Sequence, residues 1–362
     1  MHGWEGARMH GWGCIGGDER MVMKGGAMND MRAALHAAGL VSAGERVTIE
    51  ALAGGVSSDI ALVTTPTQRF CIKRALEKLK VAADWRAPVE RNRSEVEWLK
   101  VAAGILPGSV PQVLADHSAD GWFAMEYLEP AAHPVWKAQL RDGLIDPDFA
   151  AEVGRGIGRI HAATAGDAAI AQRFATDHIF YPIRLEAYLV AAGQKHPEYA
   201  DALQALVDTT QTGKRALVHG DVSPKNILCA TRDGDSAPVF LDAECAWYGD
   251  PAFDLAFALN HLLLKCLWRP QHAAQYLECF DALYDDYINQ VWWEPTYVID
   301  GRTARLLIGL LLARVDGKSP VEYITDETQK NIVRQFTLPR LKQPPHCLAE
   351  VRDAWARLMG AG

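Results

Sequence analysis

The chain has 362 residues, 49% of them hydrophobic and 23% charged, and a formal net charge of −8. That composition belongs to a globular protein long enough to form two lobes around a cleft. The acidic balance argues against a general nucleic-acid-binding or anionic-membrane surface. Seven cysteines are scattered without a C-x-x-C pair, so a structural zinc site has no support. An odd cysteine count with no secretory signal fits a reducing cytoplasm. The longest apolar runs, Leu255–Leu264 and Leu306–Ala313, are too short to span a bilayer.

Residues 1–28 repeat Met-His-Gly-Trp, are rich in Gly and Met, and read as a disordered extension. Folded sequence is expected from Asn29. A short helix over Met31–Ala38 is followed by strand-like runs at Val47–Leu52, Ile60–Thr64 and Arg69–Lys73. The first two runs flank Gly54-Gly55-Val56-Ser57-Ser58, where glycine permits close backbone approach to phosphate and serine offers donors. Arg93–Ala103 has helical periodicity, with Val96, Leu99 and Ala103 on one face. Val110–Ala115 and Trp122–Tyr127 read as two further strands. Residues 29–129 therefore form a small β-rich lobe.

After Pro130 the pattern turns helical. Helices are expected at Phe149–Ala163, Ile183–Ala192, Tyr199–Thr209, Ala252–Lys265, His272–Gln290, Thr303–Ala313 and Thr325–Phe336. Two short strands, Ala216–Val218 and Val239–Leu241, interrupt them around a polar loop. The fold class is α+β, with residues 130–362 as a larger, mostly helical lobe.

The loop between these short strands carries the chemistry. It reads Leu217-Val218-His219-Gly220-Asp221-Val222-Ser223-Pro224-Lys225-Asn226-Ile227-Leu228. Asp221 precedes Asn226 by five positions, the Asp-to-Asn spacing of the kinase catalytic loop H-R-D-x-x-x-x-N. Such an Asp accepts or orients a hydroxyl proton, and such an Asn offers its amide oxygen to a metal ion. Sixteen residues after Asn226, Asp242 ends the strand Phe240-Leu241, with Glu244 two positions on. Magnesium takes few protein oxygens and completes its shell with water and phosphate, so Asn226 plus Asp242, assisted by Glu244, is a sufficient set. A Walker A motif is absent.

These motifs, with Tyr248-Gly249-Asp250-Pro251-x-x-Asp254-Leu255-Ala256, resemble the aminoglycoside phosphotransferase / choline kinase superfamily over about residues 45–345. The resemblance implies a protein-kinase-like two-lobed fold and transfer of the ATP γ-phosphate, with Mg2+, to a hydroxyl of a small molecule. It assigns Asp221 as the catalytic residue and Asn226, Asp242 and Glu244 to the metal. Lys73 becomes the phosphate-binding lysine and Glu95 its helix partner. Gly54, Gly55, Ser57 and Ser58 become the phosphate loop, and backbone groups of Glu126, Tyr127 and Leu128 the adenine hinge. His219 and Asp254 become structural supports of the loop.

Within the superfamily, Lys73–Lys80, Asp84-Trp85 and Glu90-Arg91-x3-Glu95 are similar to methylthioribose kinases, although Asn226 stands where those enzymes carry Ser. The alternatives are a sugar or related metabolite, an aminoglycoside, or a catalytically inactive kinase-like binding protein. A cationic aminoglycoside needs carboxylates near Asp221, and Glu278, Asp281 and Asp285 share a helical face with Asp286 beside them. Trp292 and Trp293 follow, as packing residues or as stacking surfaces. The polar loop Arg314-Val315-Asp316-Gly317-Lys318-Ser319-Pro320 has no assigned role. A monomer or homodimer is expected.

Overall fold

The computed structural model describes residues 25–52, 58–77, 88–232 and 235–361. The expected phosphate-loop residues Gly54, Gly55 and Ser57, the Lys78–Lys80 and Asp84-Trp85 elements, and most of the N-terminal extension lie outside the described residues.

The N-terminal lobe is a five-stranded antiparallel sheet in the order β1 (Thr48–Ala51), β2 (Ser58–Thr64), β3 (Arg69–Ala75), β5 (Trp122–Glu126), β4 (Val113–His117). The β2–β3 hairpin turns at Thr65-Pro66-Thr67-Gln68. Pro66 supplies the fixed φ of a turn, and the Thr65 hydroxyl accepts the Gln68 N–H at 3.1 Å. Thr64 thereby pairs with Arg69, and Lys73 lies opposite both Ile60 and Phe123.

Alternation then divides the side chains of β3. Phe70 and Ile72 join a cluster with Leu35, Val63 and Ala124 on one face of the sheet. Cys71 joins the main core on the other face, together with Val96, Trp98 and Leu99 of helix Arg91–Ile105. Lys73 follows Cys71 by two positions and meets the same helix. The helix buries Glu95, Val96, Trp98, Leu99 and Ala102. Ala102, rather than the expected Ala103, completes the face, because the stripe advances by three and four residues from Glu95.

The helix expected from Met31 begins earlier, at Gly25. The strand expected at Val110–Ala115 is shifted to Val113–His117, with an irregularity between Val113 and Ala115.

The C-terminal lobe is built around helix Ala252–Trp268, which is buried from Ala252 through Leu267. A helix buried on all sides belongs at a centre, and helices Ala273–Ile288 and Thr296–Asp316 pack against it. Helix Pro147–Thr164 starts where the Asp146 carboxylate accepts the Asp148 N–H at 3.0 Å with Pro147 in the first turn. Helices Glu327–Lys342 and Leu348–Met359 finish the lobe. The expected Thr303–Ala313 helix is longer, running Thr296–Asp316.

Two small two-stranded sheets sit where the lobes meet. β6 (Ala216–Val218) pairs with β9 (Trp247–Gly249), and β7 (Ile227–Arg232) pairs with β8 (Asp235–Phe240). Periodicity does not reveal β9, which has three residues, and Pro238 masks the early part of β8.

Helices Pro147–Thr164 and Ala273–Ile288 approach closely at two glycines. A Cβ on Gly154 would lie 2.1 Å from the Leu283 carbonyl oxygen, and one on Gly158 2.8 Å from Gln290 Cγ. Gly154→Ala is therefore expected to force the helices apart and destabilise the protein by roughly 1–3 kcal/mol. Gly104→Ala, in a helix with open space around the added Cβ, is expected to be neutral or to stabilise by about 0.5–1 kcal/mol. Denaturant unfolding of both variants followed by circular dichroism checks the pair; equal midpoints would refute the packing account.

Candidate active site

β6 delivers the loop 219–226, and β7 carries the chain away from it. The loop is held from below by Asp254, in the first turn of the central helix. Its carboxylate accepts the His219 N–H at 2.7 Å and the Gly220 N–H at 2.8 Å. His161 Nε2 stands 3.2 Å from the same carboxylate, and His161 Nδ1 lies 2.9 Å from the Tyr287 hydroxyl. Asp254 and His161 are fully buried.

Gly220 has φ of 81°, and a Cβ there would sit 2.8 Å from the Cys245 carbonyl oxygen. Glycine is thus required both by the left-handed backbone and by the close approach.

The His219 ring braces the loop from inside. Its Nδ1 accepts the Asp221 N–H at 3.1 Å, so the proton is on Nε2, which donates to the Leu241 carbonyl at 3.1 Å. Burial pushes the His219 pKa down, against the pull of Asp254, Asp221 and Asp242, which favours the neutral ring this arrangement needs. The indole of Trp98 meets the His219 ring edge-on at 4.6 Å.

Asn226 donates its Nδ2 to the Asp221 carbonyl at 3.1 Å, which leaves its amide oxygen turned to other use. The Leu241 N–H donates to the Asn226 carbonyl at 2.9 Å, so the loop and the strand leading to Asp242 are stitched together. Asp242 has φ of 66° and is the only non-glycine with positive φ among the described residues. A side chain held in that region is an expensive feature kept for position.

Lys73 reaches this point from the other lobe. Its Nζ donates to Glu95 at 2.7–2.8 Å and to Asp242 Oδ1 at 2.5 Å. Lys73 is 2% exposed. Burial alone would push its pKa down; Asp242, Glu95 and Glu244 outweigh that and raise it, so the ammonium stays charged. Glu244 lies opposite Arg91, whose Nε donates to it at 3.0 Å. The same guanidinium donates to the carbonyls of Leu76 and Pro88. Arg91 thus ties the end of β3 and its own helix to the segment after Asp242.

Asp221 itself is 5% exposed. Its Oδ2 lies 3.0 Å from Arg184 Nη2 and 3.3 Å from Lys225 Nζ. Arg184 Nε also donates to the Gly220 carbonyl. Burial pushes the Asp221 carboxyl up, but Lys225, Arg184, His219 and Arg314 outweigh it and hold the pKa well below the usual carboxylate range. The group is a carboxylate at any working pH.

At the expected hinge, Glu126 pairs with Phe70 at the end of β5. Tyr127 lies under the Arg69 guanidinium at 4.6 Å. Leu128 packs on Leu228, Val239 and Leu241 of the β7–β8 hairpin. Ser58, the described member of the expected phosphate loop, is buried and opposite Ala75.

The structure thus joins Lys73, Glu95 and Asp242 directly, and joins Asp221, Asn226, His219 and Asp254 through the loop. Two carboxylates of the acidic helical face have other partners: Asp281 pairs with Arg352 and Asp286 with Arg155. Trp293 lies edge-on to His161, and Trp292 is 68% exposed.

Sequence reading missed Arg184, Arg91, Lys225, His161 and Arg314. Lys225 sits inside the motif, and His161 is a polar residue on an apolar helix face; both were visible signals. Arg184 and Arg314 carry none, since only packing brings Arg184 to Asp221 and Arg314 to the rings beside Arg184.

The profile of the Phosphotransferase enzyme family matches residues 48–287. A curated methylthioribose kinase of Enterobacter sp. (strain 638) is 25% identical over 232 residues, 56% of this chain and 56% of that protein. The chain spans about half the length of the curated relatives it matches. An ethanolamine kinase of Plasmodium vivax has the same fold, with a TM-score of 0.53 at 13% identity over 90% of this chain and 89% of that one. An amicoumacin kinase in complex with AMP-PNP, Ca2+ and Ami gives 0.53 at 14% identity, over 90% and 96%. The matched segment runs from β1 through helix Ala273–Ile288 and contains both the Lys73–Glu95 pair and the 219–226 loop, so the chain belongs to the phosphotransferase enzyme family.

Proposed function

We propose that the protein is a small-molecule kinase that transfers the γ-phosphate of ATP, with Mg2+, to a hydroxyl. The observation that carries the reading is the ammonium of Lys73, clamped between Glu95 and Asp242 beside the Asp221–Asn226 loop. The lobes divide near residue 129, and the triphosphate lies between them. Glu126, Tyr127 and Leu128 present backbone to the adenine over the apolar floor of Leu228 and Leu241. The motif alone assigns Gly54, Gly55, Ser57 and Ser58 to the phosphates.

The donor set suits magnesium: hard oxygens, few in number, from Asn226 and Asp242. Among the described residues no group of three or more His, Cys, Asp or Glu is placed to hold a metal alone, which fits an ion that completes its shell with phosphate and water. When bound, the ion neutralises charge on the phosphates. Glu244 is placed here by its motif, and its pairing with Arg91 gives it a bracing part. The complex of the amicoumacin kinase with AMP-PNP and Ca2+ supports nucleotide and divalent-ion use.

Asp221 accepts the hydrogen bond of the acceptor hydroxyl and aims its oxygen at the γ-phosphorus. An anionic carboxylate with a depressed pKa is a weak proton acceptor, so its contribution is orientation and late proton uptake. The rest is positioning and electrostatics. His219 and Asp254 hold Asp221 in place and touch no reactant. Free buried thiols at Cys71, Cys229, Cys245, Cys266 and Cys279 support action in a reducing compartment such as the cytoplasm.

Asp221→Asn is expected to lower phosphoryl transfer about 10²–10⁴-fold while leaving nucleotide binding intact. ADP release over a panel of hydroxyl compounds, beside AMP-PNP titration, checks it. Wild-type turnover in the variant refutes the role. Asp242→Ala is expected to weaken Mg2+-dependent AMP-PNP binding at least about tenfold, the loss of a charge-assisted contact; calorimetric titration with and without Mg2+ showing unchanged affinity would remove Asp242 from the metal site. A chain that binds nucleotide yet releases no ADP under any condition is the inactive binding protein instead.

A further inference from the structure

The acceptor side of Asp221 is unusually rich in cations. Arg184 and Arg314 flank the same two rings: Arg184 lies 5.9 Å from the centroids of Tyr188 and Phe257, and Arg314 lies 5.5 and 6.0 Å from them. The His261 ring is 5.4 Å from Phe257, and its Nδ1 is 3.3 Å from the Tyr323 hydroxyl. Lys265 Nζ lies 4.7 Å from the Tyr323 ring. Lys225 caps Asp221 from the loop. The carboxylates in this neighbourhood are already engaged, Asp221 by Arg184 and Lys225, and Glu322 by Lys137.

Arg314 is the anomaly. It is 7% exposed and, among the described residues, has no carboxylate within ion-pair distance. Its Nη1 donates to the Tyr188 hydroxyl at 3.1 Å and to the Ser319 carbonyl at 2.5 Å. Its Nε is buried without a partner. Nε belongs to the edge of the guanidinium that binds an oxyanion in two parallel hydrogen bonds, and it lacks a partner there. His261 Nε2 is likewise buried and unpartnered, in a residue 5% exposed. With Nδ1 accepting from the Tyr323 hydroxyl, the neutral ring carries its proton on Nε2, and two buried nitrogens without partners are costly to keep unless a ligand completes them.

The nucleotide phosphates are one source of anion, but the neighbours of Arg314 named here are all C-lobe residues, whereas Lys73 meets the phosphates from the sheet. Arg314 shares the Tyr188 and Phe257 rings with Arg184, the ion-pair partner of Asp221. We propose that the acceptor substrate carries an anionic group, a carboxylate or a phosphate, beside its reacting hydroxyl, held by the open edge of Arg314 with His261. This rests on the kinase reading. It disfavours cationic acceptors: of the acidic helical face Glu278, Asp281, Asp285 and Asp286, Asp281 and Asp286 are already bound to Arg352 and Arg155.

The experiment measures ADP release by the full chain with Mg-ATP and matched acceptors. Hydroxycarboxylates and sugar phosphates (glycerate, gluconate, glucose 6-phosphate) stand beside neutral glycerol, glucitol and glucose, and cationic choline, ethanolamine and kanamycin. Anionic acceptors are expected to exceed their neutral counterparts at least tenfold in kcat/KM. Arg314→Gln is expected to raise the KM for the anionic acceptor by roughly 10- to 100-fold, with the KM for ATP unchanged and Arg314→Lys intermediate. A neutral or cationic preference overturns the proposal, as does an Arg314→Gln effect on the KM for ATP alone. Should no acceptor react, slow ADP release to water tests the kinase reading separately. If that release occurs but malonate and inorganic sulfate do not inhibit it through Arg314, the anion site is refuted while the kinase survives; if neither occurs, the kinase reading fails.

Discussion

The N–H groups of His219 and Gly220 end on one buried carboxylate, that of Asp254. Without that acceptor the turn at Gly220 would leave two donors in an apolar interior, at a cost of several kcal/mol. The turn brings Gly220 against the Cys245 carbonyl and aims Asp221 upward. His161 and Tyr287 extend the network into two further helices, so the position of the loop is set by the packed helical core beneath it. A carboxylate at the start of a fully buried helix also meets the positive end of its dipole. The loop that carries the chemistry is therefore anchored to the most rigid part of the molecule.

Lys73 makes the corresponding link between lobes. It lies on a strand whose other face is packed by Phe70 and Ile72, and it spans from Glu95 on the N-lobe helix to Asp242 after β8. Ion pairs this deep are stabilised by mutual neutralisation and penalised by desolvation, and removing one partner strands the others. Arg91 and Glu244 repeat the device a turn earlier on the same helix. The two bridges fix the helix Arg91–Ile105 against the segment 240–246, so Asp242 is held in its left-handed conformation from both sides.

Charge is sorted across Asp221. On the side of the sheet, the carboxylates Glu95, Asp242 and Glu244 surround one lysine and one arginine. On the side of the helices, Arg184, Lys225, Arg314 and Lys265 outnumber Asp221 and Glu322. Burial holds the Lys265 pKa near 7, with Lys137 adding to the effect and Glu322 opposing it, which reflects how little counter-charge that wall contains. The wide helical winding over Tyr181–Val190 places Arg184 and Tyr188 on this wall together; such turns are uncommon and tend to occur where side chains must be re-aimed.

Local pattern determined a good part of this protein. Alternation in Arg69–Lys73 put Lys73 on the face opposite Phe70 and Ile72, helical spacing put Glu95 in line with Leu99 and Ala102, and the Asp221–Asn226 spacing marked a loop between apolar strands. The helix Leu348–Met359 was legible too, in the three- and four-residue spacing of Leu348, Val351 and Trp355, yet went unread. Tertiary structure alone decided the rest: β9, too short for a period, exists because β6 offers it a partner, and β8 tolerates Pro238 because it is one strand of a two-stranded hairpin. Arg91 meets Glu244 across more than 150 positions, and Arg184, which pairs with Asp221, and Arg314 reach the same Tyr188 and Phe257 rings from separate helices. Sequence periodicity reports which face of an element is buried, because burial repeats with the geometry of that element. It does not report what lies opposite, because that depends on how helices pack, a property of the whole chain and not of any window within it.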